Sequence, residues 1–213
     1  MSLIRLSASL LLFFILTSIE KVDAYENNNF EITPLVGYRF GGDFDANSET
    51  PTPSSSSKIE LSEEINYGLL LAWDFDHKRQ GEFLLNHYTS EFSQSVDPLV
   101  NNNNIAVTYA HIGGNVPISD AYLPVLVTGG LGLTHLSPED GILDNETRFS
   151  MNVGIATKIP VSENLSFRFG GRLYATFFNS DSKIFCDKEN CAISISSDLW
   201  IQSEVNAGLT FTF

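Results

Sequence analysis

The chain has 213 residues and a formal net charge of −14, with 12 Lys and Arg against 26 Asp and Glu. That balance speaks against nucleic acid as a partner, because phosphate backbones reward basic surfaces. Hydrophobic residues make up 43%, and Phe (16) and Tyr (7) are plentiful beside two Trp.

Residues 1–24 read as an export signal rather than as part of a fold. Arg5 gives a positive start, Leu10–Leu16 forms a short apolar run, and Val22-Asp23-Ala24 supplies a small-residue cleavage site before Tyr25. The run is too short for a membrane-crossing helix, which needs about 20 apolar residues. Residues 25–213 are then expected to form one domain. No later stretch has the length of an apolar helix, and the dominant hydrophobic period is two, that of strands.

In chain order, the first alternating segment is 30–40, with Phe30, Ile32, Val36, Tyr38 and Phe40 on one face. Residues 65–75 place Ile65, Tyr67, Leu69, Leu71, Trp73 and Phe75 together. In 82–92 the run Phe83-Leu84-Leu85 blurs the parity. Residues 104–111 give Ile105, Val107 and Tyr109 as the apolar face. Next, Leu123, Val125, Val127, Leu131 and Leu133 alternate with Leu126, Thr128, Gly130, Gly132 and Thr134. Phe149, Met151, Val153, Ile155, Thr157 and Ile159 follow. Leu165, Phe167, Phe169, Gly171, Leu173, Ala175 and Phe177 alternate with a row that holds Arg168 and Arg172. The last segment sets Leu199, Ile201, Ser203, Val205, Ala207, Leu209, Phe211 and Phe213 against Trp200, Gln202, Glu204, Asn206, Gly208, Thr210 and Thr212.

Eight such strands are joined by connections of alternating length. Asp76–Gln80, Gly113–Asp120 and Pro160–Asn164 are short; Gly41–Glu64, Ser93–Asn103, His135–Arg148 and Asn179–Asp198 are long and polar. The pattern predicts an all-β fold, an eight-stranded antiparallel up-and-down transmembrane β-barrel with short periplasmic turns and long extracellular loops. A soluble barrel would place its greasy face inside and its charges outside. Here one face is apolar and the other carries Gly, Thr, Ser and Asn with isolated charges, which suits a narrow lumen. A soluble lipocalin-like binder is the alternative at the level of fold. Isolated inward charges have to pair. Antiparallel alignment brings Arg172 diagonally beside Glu204, and barrel closure brings Arg39 near the same Glu204. An internal Arg39–Glu204–Arg172 cluster is therefore expected, unless each charge reaches solvent at a rim. Phe40, Trp73, Phe75, Phe92, Tyr122, Phe167, Phe177, Phe211 and Phe213 collect near strand ends, as an interfacial girdle does.

Cys186 and Cys191 are the only cysteines. Behind an export signal and within a polar stretch they read as a local disulfide; a metal site would want further ligands nearby. No cofactor is expected.

Val36-Gly37-Tyr38-Arg39-Phe40-Gly41-Gly42, Gly129-Gly130-Leu131-Gly132-Leu133, Phe169-Gly170-Gly171-Arg172 and Ala207-Gly208-Leu209-Thr210-Phe211-Thr212-Phe213 occur in that order along this rhythm. In them the chain resembles the small outer-membrane β-barrel proteins of Gram-negative bacteria, with an OmpA- or OmpX-like eight-stranded barrel. The resemblance implies an outer-membrane location, contact with outer-membrane lipid and lipopolysaccharide, and a monomer. It also implies that Val205, Leu209, Phe211 and Phe213 form the terminal signal read by the barrel assembly machinery. The expected role is structural or one of surface interaction through the loops, without catalysis. An enzyme that modifies lipid A acyl chains is the alternative; it would need a nucleophile, a histidine and a carboxylate near one rim. Among His77, His87, His111 and His135, the two strand histidines His87 and His111 show no Ser or Asp partner in the sequence.

Overall fold

The computed structural model describes residues 29–42, 44–47, 56–59, 62–76, 78–91, 104–119, 124–138, 144–178, 183–187, 190–194 and 199–213. The expected export signal, His77, Phe92 and Tyr122 lie outside these. Among the described residues the regular structure is entirely β, in twelve strands. They are β1 (Phe30–Phe40), β2 (Phe44–Asn47), β3 (Ser56–Ile59), β4 (Glu64–Asp74), β5 (Gln80–Glu91), β6 (Asn104–Pro117), β7 (Val125–Pro138), β8 (Glu146–Ser162), β9 (Leu165–Phe177), β10 (Lys183–Asp187), β11 (Asn190–Ser194) and β12 (Leu199–Thr212).

Eight of these strands close a barrel in the order β1-β12-β9-β8-β7-β6-β5-β4, and β4 pairs back onto β1. Every pair is antiparallel, so all main-chain ladders are satisfied within the sheet and no edge is left open. The first and last strands are locked from Glu31↔Thr212 to Phe40↔Ser203. The two remaining hairpins, β2–β3 and β10–β11, rise from the first and last long connections.

The alternation sorts side chains by chemistry. Val36, Tyr38, Ile65, Tyr67, Phe83, Leu85, Leu131, Leu133, Val153, Ile155, Phe169, Leu173, Ile201 and Val205 all point outward and are exposed. Arg39, Asn66, Glu82, Asn86, Thr134, Ser150, Arg168, Arg172, Gln202 and Glu204 point inward and are buried. This is the reverse of a soluble barrel. It follows from the solvent: lipid rewards an apolar outer band, and the narrow interior must pair whatever polar groups it holds. No helix among the described residues is long and apolar enough to cross a membrane.

One face was assigned differently from the sequence pattern. Ile105, Val107 and Tyr109 on β6 are fully buried and line the lumen, while Ala106, Thr108 and Ala110 face outward. With Leu136, Phe178 and Trp200 they fill the barrel near the long-connection ends of their strands. The rings of Phe178 and Trp200 pack in a tilted arrangement with centroids 6.3 Å apart, and the indole N–H of Trp200 donates to the Gly42 carbonyl at 2.8 Å. That carbonyl is presented because Gly42 sits at φ 103°, a left-handed conformation that glycine adopts without strain. Strand β6 also runs on through Gly113-Gly114 to Pro117, where a turn was expected, and β8 reaches Ser162 with a register shift between Pro160 and Ser162.

The short connection after β4 is built by Asp76. Its carboxylate accepts the backbone N–H groups of Lys78 and Arg79 at 2.9 and 2.8 Å and the Arg79 Nε at 2.6 Å. Those donors, Arg79 foremost, hold the Asp76 carboxyl down to about 2. The turn's grip is therefore complete above the ordinary aspartate value of 3.8 and is released as pH falls toward about 2.

Candidate functional site

The concentration of chemistry in this molecule is its lumen. Two buried carboxylates organise it. Glu204, on β12, pairs with Arg39 of β1, its direct register partner. The same carboxylate accepts Asn66 Nδ2 at 3.0 Å, Asn86 Nδ2 at 3.1 Å and Asn206 Nδ2 at 2.6 Å. Arg39 also donates to Asn86 Oδ1 at 2.9 Å. Its guanidinium lies 4.1, 4.7 and 4.9 Å from the ring centroids of Tyr174, Tyr109 and Tyr88, a three-sided aromatic box. Two of those tyrosines, Tyr88 and Tyr109, donate their hydroxyls to Gln202 Oε1 at 2.7 Å each.

Glu82, on β5, is the second hub. One oxygen accepts Arg168 Nη2 at 3.0 Å and Asn115 Nδ2 at 2.8 Å, and the other accepts Arg172 Nη2 at 3.0 Å. Arg172 completes its fork by donating to Asn152 Oδ1 at 2.8 Å. Toward the short-connection end, Lys158 pairs with Glu31 and donates to Gln80 Oε1 at 3.1 Å, while Gln80 reaches Asp74 at 2.9 Å. Charges buried this deeply need such multiple partners to offset desolvation.

The structure thus differs from the expected three-membered cluster in its third member. Arg172 is the direct Cα partner of Glu204, yet its guanidinium reaches across the lumen to Glu82. The reason is occupancy: the Glu204 carboxylate already accepts from Arg39 and three asparagines. Glu82 takes Arg168 and Asn115 on one oxygen and offers the other to Arg172. Glu82 was not singled out in the sequence because Phe83-Leu84-Leu85 hid which face of β5 is inward, and without Glu82 the inward Arg168 of β9 had no visible partner. In the fold Leu84 turns in beside Glu82, and Phe83 and Leu85 turn out.

The histidines find partners that sequence spacing does not reveal. His111 Nε2 lies 2.8 Å from Ser150 Oγ, and the ring stands 5.6 and 5.8 Å from Tyr109 and Tyr174. Both His111 and Ser150 are buried in the lumen. His87 and His135 are on the outer face, each bonded through Nδ1 to a threonine on the next strand: Thr108 at 2.8 Å and Thr147 at 2.9 Å. Among the described residues no group of three or more His, Cys, Asp and Glu could hold a metal ion.

The four terminal positions Val205, Leu209, Phe211 and Phe213 all face outward, with Phe213 the most exposed at 70%. Cys186 and Cys191 are backbone partners across the β10–β11 hairpin; their side chains lie outside the described part of the structure.

No family model and no curated protein sequence matches the chain. Solved structures do. The Neisserial surface protein A aligns over 86% of this chain and 97% of its own, at 8% identity and a TM-score of 0.54. The outer-membrane protein OprG of Pseudomonas aeruginosa aligns over 89% and 97%, at 10% identity and a TM-score of 0.54. The outer-membrane protein AlkL, determined in lipid bilayers, covers 91% and 94% at 10% identity and a TM-score of 0.50. With its closed antiparallel eight-stranded sheet, apolar outside and charged inside, this chain has the fold of the small outer-membrane β-barrels.

Proposed function

We propose that the protein is an integral outer-membrane barrel with a structural or surface-interaction role, in which the lumen is a packed strut and the long connections meet the surroundings. The observation that carries this reading is the state of the lumen. Arg39, Arg168, Glu82 and Glu204 are between 1% and 3% exposed, and each is paired. A conduit would need that network broken, and an eight-stranded barrel has room for little beyond its own side chains. The enclosed Ser150–His111 pair gives no support to the lipid A acyl-modifying alternative, because a lipid substrate would have to enter the filled interior.

The test is direct. The protein should fractionate with outer membranes and migrate differently on SDS gels before and after boiling. In planar bilayers it should give no open-pore conductance, and lipid A mass spectra should be the same with and without its expression. A soluble product lacking the gel shift would sink the membrane reading, and an altered lipid A spectrum the non-catalytic one.

The terminal strand fits an address for barrel assembly, since Val205, Leu209, Phe211 and Phe213 form one outward row. Replacing Phe213 with serine is expected to lower the inserted fraction in cells several-fold while leaving spontaneous folding into vesicles nearly unchanged. Equal losses in both assays would instead make Phe213 a plain packing residue.

The hairpin geometry also favours a disulfide. Cys186 and Cys191 are direct Cα partners across β10 and β11. Residues that face each other on an antiparallel pair hold their Cβ atoms about 4.5–5.5 Å apart, within reach of a disulfide. Intact-mass measurement with and without reductant should show a gain of two hydrogens, and free thiols before reduction would count against it.

A further inference from the structure

The outer face is not the same height all round. On β9, β12 and β1 the apolar row runs to the long-connection ends: Phe177 closes β9, Leu199 opens β12 and Phe40 closes β1, all exposed. On the opposite flank it stops early. Beyond Leu85 the outward positions of β5 are His87, Thr89 and Glu91, and beyond Leu133 those of β7 are His135 and Ser137. On β6 the corresponding outward residues are Thr108 and Ala106. From Leu85 to Glu91 is about 20 Å of strand at roughly 3.4 Å per residue.

These polar residues form a connected set. Register lays Tyr67, His87, Thr108, His135 and Thr147 side by side across β4 to β8. His87 binds Thr108, His135 binds Thr147, and Ser137 donates to Asn145 Oδ1 at 2.8 Å. Each cross-strand bond uses only one ring nitrogen of the histidine, and a polar group left unpaired in hydrocarbon costs several kcal/mol. Placed at the depth of Phe177 and Leu199 on the other flank, this set would be a liability. Placed among head groups it is a row of donors and acceptors.

We propose that the β5–β8 flank is a notch in the apolar belt, into which hydrogen-bonding head groups of the outer leaflet descend, with His87, Thr108 and His135 as their contacts. This rests on the outer-membrane reading above and adds to it a specific lipid-binding face. The occupant follows from continuity: the notch opens directly onto the lipid-facing belt below it and the polar strand ends above it.

Single spin labels at positions 87, 135, 173 and 201, introduced as cysteines in a mature chain carrying Cys186→Ser and Cys191→Ser, test it in phosphatidylcholine vesicles with and without lipid A. Labels at 87 and 135 should collide with a water-soluble nickel chelate several-fold more often than labels at 173 and 201, which should favour oxygen. In a His87→Phe, Thr108→Val, His135→Phe background, nickel collision at a label on position 89 should fall several-fold as hydrocarbon rises. Oxygen-dominated collisions at 87 and 135 in the parent would overturn the notch. Protection from both reagents with spin–spin broadening would overturn it too, and indicate a second copy of the chain on that flank. Nickel access at 173 and 201 would instead show that the membrane reading itself is wrong.

Discussion

Replacing Glu82 with alanine is expected to lower the free energy of folding by about 3–5 kcal/mol, because it strands two buried guanidinium groups. Arg168 and Arg172 are 1% and 6% exposed and both donate to Glu82 at 3.0 Å. Without the carboxylate they would face each other as like charges in a space that water enters poorly, and Asn115 would lose its acceptor as well. Glu82→Gln should be milder, since it keeps the shape and one acceptor oxygen. Removing Arg168 alongside Glu82 should restore part of the loss, which is the signature of an interaction rather than of a shape. Urea titration of the protein folded in phosphatidylcholine vesicles, read by the boiled-versus-unboiled gel shift, gives the three values. A loss below about 1 kcal/mol for Glu82→Ala, the usual value of an exposed pair, would mean that the lumen is well hydrated.

The second large effect concerns the other face. Val153 lies in the middle of β8, outward and 52% exposed, between Gly129 and Leu173 in register. Val153→Arg should cost about 2–4 kcal/mol, the penalty for a cation near the middle of a bilayer, whereas Thr147→Arg near the long-connection end should cost about 0–1 kcal/mol. The comparison is stronger than either value alone. In water an exposed valine changed to arginine is close to neutral, so equal small effects at both sites would remove the lipid from the picture.

How much of this was legible in the sequence depended on which side of the sheet a residue serves. The outward face of β12, β9 and β8 declares itself because lipid demands the same property at every position, and a property repeated at period two is easy to read. The lumen makes no uniform demand. It accepts Ile105 and Val107 at one level and Glu82 and Arg168 at another, provided that volumes fill and charges pair. On β6 that freedom reversed the pattern: the inward residues are larger and more apolar than Ala106, Thr108 and Ala110, which face out. The Arg39–Glu204 pair was within reach because both strands have clear parity and the closure register followed from it. The partner of Arg172 was not, since it comes from across the barrel, from a strand whose face was ambiguous, and no sequence separation encodes that distance. Ser150 beside His111 was hidden for another reason: the two share a register row on either side of Gly132, whose missing side chain lets them meet, and the inward face of β6 had been read the other way. Pairing along a ladder is legible; pairing across a lumen is a property of the closed object.

The two tryptophans stand at opposite ends of that object and on opposite sides of its wall. Trp73 belongs to the outward row near the short-connection end, its indole over Gly81, and Trp200 is packed inside near the long-connection end against Phe178. The molecule therefore carries its own pair of clocks for folding. Emission from Trp73 should respond when the outer surface meets acyl chains, and emission from Trp200 only when the interior has closed over it. Whether the wall enters the bilayer before or after its filling is assembled can be timed with each indole alone, the other replaced by phenylalanine.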